Sequence, residues 1–244
     1  MQVKDKSLEI GRFDKTEPKR RNMAGTQSNY MKVDNTDLNP DEVTKMMRTH
    51  FVIDKSLTGR GVTMIFEEKK IILKDGRVAI LKSPCVEDAE KLLNYIKKSC
   101  GETDFLAHYP EERNITVEQE EAWVNRLRSA PNTLGITCYI DGEVAGNCEI
   151  SFRGKMKTSH RAIIAIAILK DYWNLGIGSA MLEELVAAAQ KRGIEIMELE
   201  FVEGNERAKH LYEKFGFRVV SEKPNAFKFK DGTYLSEVYM QKYL

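Results

Sequence analysis

The feature that most constrains this chain is an apolar run, "AIIAIAIL" at residues 162–169, followed by a helix and a second strand-like run. The first run has no polar alternate face, so it reads as a strand buried on both sides. After a short polar turn and Gly176-Ile177-Gly178, an amphipathic helix begins. Ile177, Met181, Leu182, Leu185, Val186 and Ala189 form its apolar stripe, and Lys191, Arg192 and Gly193 close it. "IEIMELEFV" (194–202) is the next strand. Two strands of one sheet joined through a helix form a parallel pair.

The rest of the sequence supplies antiparallel partners and flanking helices. Residues 61–83 read as strands around the turn pair Asp75-Gly76, and residues 134–154 as a hairpin around Asp141-Gly142. Between them, Ala89, Leu92, Leu93 and Ile96 share a helical face that Gly101 is suited to stop. Thr116 and Gln119 stand at capping-box spacing at the start of a second helix. Asn205 is suited to start, and Gly216 to stop, a helix over "NERAKHLYEKFGF"; "FRVVSEK", "AFKFKDG" and "YLSEVYMQKYL" read as terminal strands. The order predicts an α+β fold: a mixed, mostly antiparallel central sheet with one parallel strand pair and flanking helices.

Residues 1–60 read as a polar N-terminal extension, partly flexible and carrying the basic knot Lys19-Arg20-Arg21. A short helix is expected near 40–51. Asn39 would cap it, Pro40 would open it, and Val43, Met46, Met47 and Phe51 would share one face. The compact domain is expected over 61–244. The 38 basic and 37 acidic residues nearly cancel, so a nucleic-acid partner is not expected. The first residues lack an apolar signal core, and no apolar run approaches the roughly 20 residues that span a bilayer. The expectation is a cytoplasmic protein with no membrane partner. Cys85, Cys100, Cys138 and Cys148 lack CxxC spacing, and His50, His108, His160 and His210 show no ligand spacing, so no metal is expected.

The glycines at 176 and 178 ask for a reason, because each costs a helix about 1 kcal/mol. The first amides of a helix lack partners within it, and the helix dipole adds partial positive charge there, so such an end binds phosphate. Glycine permits a tight turn and a close approach of backbone to ligand. Asn174, Leu175, Gly176, Ile177, Gly178 and Ser179 thus form a candidate diphosphate cradle; a structural strand-to-helix turn would use the same residues. The dinucleotide fingerprint is broken at Met181, and Gly-Lys-Ser/Thr of the P-loop is absent.

The order of these parts resembles the GNAT superfamily of acyl-CoA N-acyltransferases over roughly residues 70–244. That family's loop is Arg/Gln-x-x-Gly-x-Gly/Ala; Gly176 and Gly178 match, whereas Trp173 stands where Arg or Gln is usual. The pattern Asn-x-x-Ala-x-x-Leu-Tyr-x-x-x-Gly-Phe is complete at Asn205, Ala208, Leu211, Tyr212, Gly216 and Phe217. The resemblance implies that the parallel strands splay to admit acetyl-CoA as cosubstrate. Ile166 and Ile168 would offer backbone contacts to pantetheine, Asn205 a side-chain contact, and Tyr212 a proton for the departing thiolate. Glu149, Glu198, Glu200 and Glu203 border the expected slot as candidate bases, with Glu149 and Glu200 preferred.

The implied activity is transfer of an acetyl group to a primary amine of a small molecule or protein by direct attack. The alternative is a non-catalytic acyl-CoA sensor or interaction module, suggested by Trp173 and the N-terminal extension. A nicotinamide-dependent oxidoreductase is disfavoured by the broken fingerprint. Residues 101–112, with their acids, His108 and Tyr109, fall on the family's acceptor side, and the terminal strands offer edges for a homodimer.

Overall fold

The computed structural model describes residues 51–54 and 63–244. The basic knot and residues 39–50 of the expected short helix lie outside the described residues. Phe51, assigned above to that helix, instead begins a strand: β1 (Phe51–Asp54) pairs antiparallel with β2 (Thr63–Phe66), Phe51 opposite Phe66. The run Phe-Val-Ile is rich in aromatic and β-branched residues, which favour a pleated partner surface over a helix.

An eight-stranded sheet follows. Its strands are β3 (Lys69–Ile72), β4 (Val78–Lys82), β5 (Thr133–Ile140), β6 (Glu143–Phe152), β7 (Arg161–Ile168), β8 (Ile196–Val202), β9 (Arg218–Lys228) and β10 (Tyr234–Tyr243). They lie in the order β3-β4-β5-β6-β7-β8-β10-β9, antiparallel throughout except for β7 beside β8. The helices are α1 (Ala89–Glu102), α2 (Val117–Ser129), α3 (Ile177–Lys191) and α4 (Glu206–Lys214). This is the mixed, mostly antiparallel sheet expected from the sequence.

Side-chain alternation along β7 separates the two faces. Ala162 and Ile164 join the main core with Ile177, Met181, Leu182 and Leu185 of α3 and Tyr212 of α4. Ala167 packs with Leu92 and Tyr95 of α1 and Val124 of α2. One helix pair therefore covers each face, which is why β7 carries no polar alternation.

Local signals behave as their chemistry requires. Thr116 accepts from Gln119 N at 3.3 Å, and the Gln119 side chain accepts from Thr116 N at 2.9 Å, a closed capping box. Asp141 and Gly142 both take positive φ, 53° and 82°, matching the two-residue hairpin turn. Two expectations need correction. Gly101 lies inside α1, which ends only where Thr103 turns extended at φ −154°. The two strands expected over 217–232 are one, β9, which stays paired with β10 through register shifts and takes Asn225 at φ 55°. No described helix is long and apolar enough to cross a membrane. All four cysteines are free thiols.

Candidate active site

β7 and β8 pair only from Arg161–Ile196 to Ile163–Glu198, after which β7 runs on to Ile168 and β8 to Val202. The amide of Leu169 donates to Ala145 O on the β6 side at 3.0 Å. Backbone groups alternate in direction along a strand, so those of Ile166 and Ile168 point the other way, into the opening toward β8. The Ile168 carbonyl there accepts the Trp173 indole Nε1 at 2.7 Å.

The turn into α3 sits at the mouth of this opening. Asn174 and Gly176 both take left-handed conformations, φ 64° and 96°. The Leu175 carbonyl accepts Lys74 N at 3.1 Å, which ties the turn to the β3–β4 connection. No side chain caps the helix. The amides of Ile177, Gly178 and Ser179 have no acceptor among the described residues; the first bonded amide is Ala180, to Gly176 O at 3.1 Å. The two glycines differ in their reasons. A Cβ on Gly176 would meet nothing nearer than Lys74 Cγ at 4.0 Å, so conformation alone calls for glycine there. A Cβ on Gly178 would stand 3.0 Å from Leu211 Cδ2 and 3.4 Å from Ile168 Cδ1, so this glycine lets α4 pack closely.

α4 carries two of the expected residues. Asn205 caps it, its Oδ1 accepting from Ala208 N at 3.2 Å, which leaves the Nδ2 donors unused among the described residues. Tyr212 is buried at 6% exposure, its ring 6.2 Å from Phe201 and 5.9 Å from Phe217. Burial pushes its phenol up to about 12, with Cys148 adding to the shift. Its hydroxyl donates to no described residue. Arg207, from the first turn of α4, places its guanidinium 3.9 Å from the centre of the Trp173 ring and donates to Asn174 Oδ1 at 3.0 Å.

The carboxylates divide by environment. Glu198 is only 1% exposed and is occupied by Arg161, Arg153 and the Tyr239 hydroxyl. Glu203 is held below the usual carboxylate range by the Ser236 amide, which donates to it at 3.0 Å. Glu149 accepts from Ser151 Oγ at 2.8 Å. Glu200 is exposed and shares a shallow cavity with Arg153, Arg161 and Lys223. By strand alternation Glu149 and Glu200 stand on the α1–α2 face, Glu149 opposite Ala165, whereas Tyr212 approaches from the α3–α4 face.

A residue that the sequence reading missed lies nearby. A cavity of about 740 Å³ opens between α1, the loop after it and α2, reaching Asn147 of β6 and Ala167 of β7. The Tyr95 hydroxyl joins these two strands, standing 2.8 Å from Asn147 Oδ1 and 2.9 Å from Ala167 O, with its one proton to give between them. Glu120 lines this cavity at 2% exposure, and its Oε1 has no hydrogen-bond partner. Burial raises its pKa, opposed by the charge of Arg113. The signal was present, because Glu120 shares a buried stripe with Val124 and Leu127.

The family model "Acetyltransferase (GNAT) family" matches residues 98–217. The "[Ribosomal protein bS18]-alanine N-acetyltransferase" of Escherichia coli K12 is 31% identical over 99 residues, 37% of this chain and 67% of that protein. The chain belongs to the GNAT acetyltransferase family. Its similarity extends to the "L-amino acid N-acetyltransferase AaaT" of the same organism, 25% identical over 124 residues, 50% of this chain and 76% of that one. Among solved structures, a GNAT acetyltransferase of Streptococcus pneumoniae superposes with a TM-score of 0.63 at 28% identity, covering 68% of this chain and 99% of its own. The fold is also that of yncA from Salmonella typhimurium, solved with acetyl-CoA: TM-score 0.59, 17% identity, 68% and 94% coverage.

In this GNAT domain Ile166, Ile168, Leu175, Ile177 and Tyr212 pack in one core beside the end of β7 that β8 leaves, Asn205 caps α4 just after β8, and Glu149 and Glu200 stand on the opposite face of the sheet. The fit to a diphosphate rests on the three unpartnered amides and the left-handed turn that aims them.

Proposed function

We propose that this chain is an acetyl-CoA-dependent N-acetyltransferase that acts on a primary amine by direct attack. The observation that carries this reading is the set of free amides at Ile177, Gly178 and Ser179 beside the end of β7 that β8 no longer pairs. Acetyl-CoA, when bound, supplies an acyl thioester and a thiol leaving group. The α3 amides hold the diphosphate. The backbone of Ile166, the amide of Ile168 and the free donors of Asn205 align the pantetheine arm, the Ile168 carbonyl being taken by the Trp173 indole. An amide of β7 directed into the opening donates to the carbonyl oxygen as charge grows on it.

Glu149 or Glu200, acting through water, takes a proton from the incoming ammonium. The amine nitrogen then bonds to the acyl carbon, the carbon–sulfur bond breaks, and the sulfur takes the Tyr212 proton. The nitrogen's remaining extra proton passes to solvent, and solvent restores the phenol. Base and acid approach from opposite faces of the sheet, so the amine can enter from one side while the sulfur leaves on the other. The named relatives take an L-amino acid and an alanine of a ribosomal protein as acceptors, which supports an amine here.

The test is calorimetric titration with CoA, followed by an amine panel read by thiol release. Binding together with amine-dependent thiol release supports the assignment. Absence of CoA binding at about 1 mM, the upper end of ordinary KM values, removes it. A second reading, a non-catalytic acyl-CoA sensor, draws on the Trp173 indole, which takes the Ile168 carbonyl. It calls for CoA binding without turnover of any amine.

A further inference from the structure

The cavity between α1 and α2 holds two opposite charges, each with a buried atom left unpaired. Glu120 Oε1 has no donor and Arg113 Nε has no acceptor among the described residues. Both line the same space. An uncompensated buried charge is costly, and side chains close enough to feel each other ordinarily close up. A ligand carrying both an ammonium and a carboxylate would satisfy them together, where a simple amine or a simple acid would satisfy only one.

The cavity's other walls fit such a ligand. Ile96, Leu106, Ile115 and Trp123 offer apolar and aromatic surface beside the charged pair. Its inner end reaches Asn147 and Ala167, and Ala167 lies between Ile166 and Ile168 on β7. A molecule seated here therefore abuts the strand whose backbone faces the acyl slot.

We propose that this cavity binds the acceptor as a free zwitterionic amino acid, its ammonium on Glu120 and its carboxylate on Arg113. The inference rests on the acetyltransferase reading and deepens it by naming the acceptor class. Glu120 is a binding residue that fixes where the amine stands, and the apolar wall selects among side chains.

The experiment uses the full chain, with CoA binding measured in the same samples. The twenty L-amino acids are screened by thermal shift, with and without CoA. The best binder is then compared by calorimetry with its carboxamide, which lacks the carboxylate, and with its desamino acid, which lacks the amine. The expected result is saturable binding of at least one free amino acid. Each truncated analogue should bind about tenfold or more weakly, the size of one lost charge-assisted hydrogen bond. Glu120→Gln and Arg113→Gln should weaken the amino acid by a similar factor and leave CoA affinity unchanged. The proposal is overturned if no free amino acid binds at about 10 mM, an order above ordinary KM values, while CoA still binds. It is equally overturned if the carboxamide binds as well as the acid, or if Glu120→Gln binds normally. Loss of CoA binding in the wild-type chain would instead strike the acetyltransferase reading.

Discussion

Arg207 stacks on Trp173, its guanidinium carbon 3.9 Å from the ring centre, and reaches past the ring to Asn174 Oδ1 at 3.0 Å. Trp173 occupies the place where the family's loop carries Arg or Gln, so the usual side-chain donor is missing from that position. Arg207 returns a cation to the same turn from α4. Arg207→Ala is expected to weaken CoA binding about 5- to 30-fold, since an exposed cation–π contact and a charged hydrogen bond together contribute ~1–2 kcal/mol. Calorimetry with CoA at two salt concentrations checks this. The difference between variant and parent should shrink at high salt, as it must for an exposed charge.

The two loop glycines should separate in their effects. Gly176 has φ 96° and open space around it, so Gly176→Ala imposes a left-handed strain of ~1–2 kcal/mol. The expected outcome is a melting temperature lowered by about 2–8 °C and weaker CoA binding, because the turn that aims the amides relaxes. At Gly178 the strain is steric and falls on the flexible end of Leu211. Alanine recovers about 1 kcal/mol of helix propensity there, so stability should change little. Its mark should appear in kcat, because Leu211 precedes Tyr212 on α4. Melting curves and steady-state rates on both variants test the separation.

Much of this was legible in the sequence. The unalternating run of β7, the stripe of α3, the Thr116–Gln119 box and the Asp141-Gly142 turn are local signals, and each forms as its chemistry requires. What was not legible depends on distant partners. The close neighbour of Gly178 is Leu211, 33 residues on, which no local pattern announces. Gly101 stays helical because α1 continues through it to Glu102, although glycine is the usual stop. Pro224 and Asn225 look like a break between strands, yet pairing with β10 carries β9 across them. Glu120 was hidden for another reason. An acid in the first turn of a helix is ordinary, and only its registry with Val124 and Leu127 marks it as buried.

Tyr212 allows a clean test of proton donation. Its hydroxyl makes no hydrogen bond to a described residue, so Tyr212→Phe leaves no partner unsatisfied and should fold with nearly unchanged stability. kcat should fall by about a hundredfold, the lower end of what a positioned acid contributes, with CoA affinity within about twofold. With the phenol pushed up to about 12, the wild-type rate should show no loss attributable to Tyr212 ionisation below about pH 10. A basic limb that disappears in Tyr212→Phe at lower pH would overturn the assignment.

Glu120 links binding to stability with a definite sign. Burial raises its pKa above the ordinary carboxylate range, so between the two values the folded chain holds a proton that the unfolded chain has released. Stability therefore falls as pH rises through that window. The charged groups facing it from the surrounding elements are Arg113 and Arg126, whose charges are fixed, and Tyr95, whose phenol burial pushes upward. His108, exposed at the rim, is replaced by Gln in both chains so that its charge does not enter the comparison. Glu120→Gln does not titrate, and it should flatten the decline and melt about 2–4 °C higher at pH 8, what ~1 kcal/mol gives in a chain of this size. A variant that is more stable yet binds its amino acid more weakly is the pattern of a site held in tension for its ligand. Equal melting temperatures across pH 4 to 8 would show that the buried carboxylate carries no such cost.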